Sequence, residues 1–61
     1  VYVIKIKDPT GEFFVSQTQG QYCHAKAGAR LFTDRNEAES VADAVRPEWV
    51  VVRVPVMVEE V

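Results

Sequence analysis

Cysteine and histidine are nearly missing from this chain: Cys23 is the one thiol and His24 the one imidazole. A single thiol excludes an internal disulfide. Two such residues fall short of the four ligands of a closed zinc site, so no metal is expected. No apolar run approaches the ~20 residues that span a bilayer, and no secretory-signal layout is visible. A lone thiol also suits a reducing compartment, so a cytoplasmic protein without a membrane segment is expected. Charge of one sign is lacking as well. A formal net charge of −2 gives no general drive toward nucleic acid or anionic lipid. Neither a GxxxxGK[ST] run nor a GxGxxG run occurs, and no cofactor is expected.

Length is the remaining shortage. A chain of 61 residues makes one domain, and at this size folding hides only ~60% of the surface that the unfolded chain exposes. A single core of this kind rarely supplies more than ~3–5 kcal/mol. Without disulfide or metal, self-association is the remaining way to bury more area, so a homo-oligomer is expected.

What is present is a normal globular balance, 48% hydrophobic and 26% charged. Residues 1–7 alternate, with Tyr2, Ile4 and Ile6 on one face and Lys5 and Lys7 on the other, which predicts a half-buried strand. Asp8-Pro9-Thr10-Gly11 is a turn. A second strand over 12–18 would close a hairpin. Residues 19–30 hold two glycines and little periodicity. Leu31-Phe32 reads as a short strand or as the apolar lead-in to a helix. Asp34 or Thr33 can cap that helix, with Glu37 as the capping-box partner of Asp34. Ala38, Val41, Ala42 and Val45 form one buried stripe, while Arg35, Glu39 and Asp43 take the solvated side. Pro47 ends the helix. Residues 49–58 read as a strand by composition. The expected fold is therefore α+β: a mainly antiparallel sheet of three or four strands, with one helix on one face, in the order β-β-(β)-α-β.

Two features of this pattern point to contact surfaces. The last strand is apolar on both faces, and its ten residues would span ~33 Å against ~23 Å for the first. Pro55 cannot donate a ladder bond and marks an edge or a bulge. One expectation follows: residues 49–54 pair within the monomer, and 56–61 run on to meet another chain. The alternative is a strand that bends at Pro55. Secondly, Val1, Val3, Trp49, Val51 and Met57 project opposite the helix, bordered by Lys5, Lys7 and Arg53. They form either an interface or a face that the 19–30 loop folds over.

Chemistry is sparse. Cys23 and His24 are the one nucleophile–base pair by type, but neighbours on a strand point to opposite sides, and no third, orienting group accompanies them. No catalytic residue is assigned and an enzyme is not expected. His24, Lys26, Gly28 and Arg30 precede the helix N-terminus, where exposed N–H groups attract anions. They are the candidate site for an anionic ligand such as a nucleotide. Asp34 and Glu37 place negative charge at the same end, and a solvated loop is the plainer reading.

Tyr2, Ile4, Lys5, Gly11, Phe13, Phe14, Ala29, Phe32, Thr33, Glu37 and Ala38 together form a pattern. It resembles small uncharacterised ββαβ proteins of phages and bacteria. The resemblance covers most of the chain and implies no catalytic residues. It implies a small accessory protein, phage- or prophage-encoded, of a kind that binds and modulates a host protein; the homo-oligomer is expected from the shortage of buried area alone. The Phe32-Thr33 helix start with Glu37-Ala38 also resembles half of a SPOR peptidoglycan-binding domain. Such domains carry two of these units, so this chain would need a symmetric dimer to imitate one.

Overall fold

The computed structural model describes residues 1–18, 20–45 and 54–61. Four antiparallel strands form one sheet in the spatial order β3-β2-β1-β4. They are β1 (Tyr2–Asp8), β2 (Gly11–Val15), β3 (Tyr22–Cys23) and β4 (Val56–Glu60). One helix, α1 (Arg35–Ala44), lies between β3 and β4 in the chain. This is the α+β class that the alternation of residues 1–7 and the helical stripe predict.

The β1–β2 hairpin turns where the sequence says it should, with Asp8 opposite Gly11. The Asp8 carboxylate accepts from the Thr10 amide at 2.7 Å and from its hydroxyl, tying the turn. β2 stops at Val15, earlier than residue 18. Ser16 donates its amide to Gln21 at 3.0 Å, and the chain reverses through Gly20 at φ +81°. That return produces the two-residue β3, too short to show a period in sequence.

Asp34 caps α1 by accepting from the Asn36 amide at 2.9 Å. Ala38, Ala42 and Val45 are buried and Val41 is half-buried, as their spacing predicts. With Phe32 they pack on Ile4 and Ile6, together with Val54, Val56 and Val58 from the chain's last segment. Phe32 is held there by exchanging amide and carbonyl bonds with Tyr2, at 2.7 and 2.8 Å.

The opposite face has a core of its own. Val3, Phe14 and Ala29 are buried together, with Cys23 against them. Ala29 follows a 3-10 turn at Lys26–Gly28 that lies across this side of the sheet. Val3 has no exposed surface, which corrects its assignment to an interface: the loop covers it. Its neighbours on the same face differ, with Val1 at 48%, Met57 at 39% and Val61 at 58% exposure. Trp49, Val51 and Arg53 lie outside the described residues.

A second correction concerns the last strand. Residues 56–60 do not run on to another chain; they pair with β1 inside the monomer, from Ile6↔Val56 to Tyr2↔Glu60. Pro55 sits just before β4, and its carbonyl accepts from the Lys7 amide at 3.0 Å.

Candidate functional site

β4 closes one side of the sheet. Backbone parity decides which of its groups are used. Val61 donates to the Val1 carbonyl and Pro55 accepts from Lys7, so odd-numbered residues 55–61 turn their backbone groups toward β1. Because direction alternates along a strand, the N–H and C=O of Val56, Val58 and Glu60 point away from the sheet. Among the described residues nothing pairs with them. The missing N–H of Pro55 falls on the β1 side and leaves the outer edge unblocked. The other end of the sheet, β3, offers only two residues.

A groove of ≈ 530 Å³ runs beside this edge, between Val56–Val58 and the Arg35, Glu39, Ala42 and Asp43 side of α1. The solvated stripe of the helix therefore doubles as one groove wall. Arg35 and Glu39 approach to 3.8 Å. On the other face, exposed Met57 lies directly across from Lys5.

Beside Met57 is a cluster of charges. The Glu59 carboxylate sits between Lys26 at 2.8 Å and Lys5 at 3.1 Å, and Lys5 also approaches Glu12 at 3.9 Å. Hydrogen bonds from Lys26 and then Lys5, with their positive charge, hold the Glu59 carboxyl below its ordinary range. The Lys26–Glu59 pair joins the 3-10 turn to β4 and so clamps the loop over Val3 and Phe14.

The four residues suggested for anion binding are not gathered into one site. The Lys26 ammonium faces Glu59. The Arg30 guanidinium lies 4.8 Å from the Phe32 ring centroid and 3.8 Å from Glu37, on the helix side of the sheet. The His24 ring packs on Phe13 with centroids 4.4 Å apart. Gly28 lies against Cys23, whose sulfur a Cβ there would meet at 3.4 Å, an ordinary contact. Loop spacing suggested convergence because it does not reveal that Ala29, between Lys26 and Arg30, pairs with Ser16, which leaves Lys26 on the Val3 side and Arg30 on the helix side.

Cys23 and His24 also separate. The thiol donates to the Ala25 carbonyl at 3.3 Å beneath the turn, and the imidazole lies on the helix side with Phe13. No cluster of three metal-ligating side chains occurs among the described residues. No helix among them is long and apolar enough to cross a membrane. The outward backbone of β4 is the feature that composition could not locate; Pro55 pointed to an edge or a bulge by its missing donor, and that donor falls on the β1 side. Compared with family models, curated proteins and solved structures, the chain matches none.

Proposed function

We propose that this domain is a non-catalytic protein-binding module that takes up an extended segment along the outer edge of β4. One observation carries the reading: Val56, Val58 and Glu60 present backbone donors and acceptors beside an open groove. Strand addition of this kind draws affinity from main-chain bonds and selectivity from alternate side chains. Met57 supplies apolar contact on one face, and the α1 wall supplies charge on the other. An accessory protein that binds and modulates another protein, as the resemblance implies, would work through such a surface.

The chain is short enough for total synthesis, which permits a backbone test. N-methylation of the Val58 amide removes an outward donor and crowds the edge while keeping the side chain and the β1 ladder. Peptides selected from a displayed random library against the unmodified domain should alternate apolar residues and lose binding to the N-methylated one. The methylated domain must keep its far-UV circular dichroism. Selected peptides that bind both forms equally would place the binding surface elsewhere and end this reading.

A further inference from the structure

We infer that the segment fitting this edge is β4 of a second copy of the same chain, paired antiparallel about a two-fold axis at Met57. The inference rests on the edge reading above and adds its occupant and register. Three registers are compared by what they place side by side, since directly opposed residues interact most strongly.

With the axis at Glu59, two Glu59 carboxylates oppose each other. With the axis at Val58, Met57 faces the partner's Glu59 and Val56 faces the partner's Glu60, in both symmetry-related positions. That arrangement also brings the two Glu59 residues to a diagonal separation of roughly 7–8 Å. With the axis at Met57, Met57 meets its own copy and Val56 meets Val58. Glu59 then opposes Pro55, and Glu60 opposes Val54. Of these three, only this arrangement sets apolar against apolar throughout the centre. All three keep outward backbone opposite outward backbone, and here Val56 and Val58 become the hydrogen-bonded pairs.

The groove wall fits the same symmetry. A two-fold axis normal to the sheet runs the two α1 helices antiparallel along the joint. Arg35 at the start of one helix then lies toward Asp43 at the end of the other, which gives two opposite-charge pairs across the joint. Glu39, between them on the wall, has the same sign as its copy, and Arg35 of its own helix at 3.8 Å offsets that charge. Pairing of opposite charges in this way fixes register and orientation. The product is one continuous sheet of eight strands, with both copies of α1 on the same face.

The test combines sedimentation with site-specific cross-linking of the full chain in a Cys23→Ser background. Met57→Cys places thiols at a directly opposed, non-hydrogen-bonded pair, where Cβ atoms lie about 4.5–5.5 Å apart, close to disulfide range. Met57 is exposed, so the substitution leaves the fold intact. The expected result is a concentration-dependent dimer that Met57→Cys locks under mild oxidation, while Glu59→Cys forms no disulfide. Charge reversal Arg35→Asp should weaken association at least tenfold, and adding Asp43→Arg should restore it. A dimer cross-linked by Glu59→Cys, or not cross-linked at Met57→Cys, overturns the register. A monomer at every concentration overturns the second copy as occupant. If that monomer still binds selected peptides in a manner sensitive to N-methylation at Val58, strand addition stands and only the occupant is wrong.

Discussion

Val3→Ala separates the two roles that the sequence left open for the face opposite α1. Val3 is fully buried under Ala29 and beside Phe14, so the structure assigns it to the core. Removing two methyl groups forfeits about 1.6 kcal/mol at ~0.8 kcal/mol per buried carbon. The space left behind adds up to about 1 kcal/mol if its walls do not close. The expected loss is therefore about 2–3 kcal/mol, a large part of the ~3–5 kcal/mol available to so small a core. At a urea slope of ~1 kcal/mol per molar, the unfolding midpoint falls by about 2 M. Met57→Ala is the control: it is 39% exposed, and its cost in a dilute sample should stay below about 1 kcal/mol. Both are read by far-UV circular dichroism at low protein concentration, where association does not contribute. If Val3→Ala leaves the midpoint within experimental error, the loop does not cover Val3 and the two-sided core is wrong.

Three further outcomes follow from other parts of the fold. Asp34→Ala removes the acceptor of the Asn36 amide and should cost about 1 kcal/mol, seen as a lower melting temperature; Asp34→Asn should keep most of it. Gly20→Ala forces an L-residue into φ +81° and should cost about 1–2 kcal/mol, whereas Gly28→Ala, with no positive φ and only the Cys23 sulfur nearby, should be neutral or slightly stabilising in the same melts. Glu59 titrates below its ordinary value, so its contribution is complete above the unfolded carboxyl range and is lost as pH falls through the lowered folded value. Acid should therefore release the Lys26 clamp and speed labelling of Cys23 by a pyridyl disulfide, and Glu59→Gln should show that faster labelling already at neutral pH. Labelling of Glu59→Gln at the unmodified rate would mean that the ion pair does not hold the loop.

How much of this was legible in the sequence depends on whether a residue's role is set locally. The helix was readable because Asp34 caps it through a bond to its own second turn residue and because Ala38, Ala42 and Val45 recur at helical spacing. The hairpin was readable because Asp8 and Gly11 fix the turn between neighbours. Residues 19–30 were not, since a two-residue strand has no period and a buried alanine such as Ala29 looks like any other. The last strand was readable as a strand but not in its pairing. Alternating valines suit either face and several registers, and only the contact of Val61 with Val1 and of Pro55 with Lys7 fixes one. The candidate anion set failed for a similar reason: Lys26 and Arg30 are four residues apart, yet each meets a carboxylate supplied by a different element, Glu59 from β4 and Glu37 from α1. On the opposite face, Met57 and Val1 stayed exposed as expected while Val3 did not, a distinction made entirely by the loop.

Amide exchange along β4, measured by NMR residue by residue at low and high protein concentration, bears most directly on the outward edge. Met57 and Glu59 donate toward β1 and should be protected at both concentrations. Val56 and Val58 should exchange freely in the dilute sample and gain protection in the concentrated one. Protection of Val56 and Val58 that is already complete in the dilute monomer, or absent in a dimer, would contradict the assignment of this edge as the binding surface.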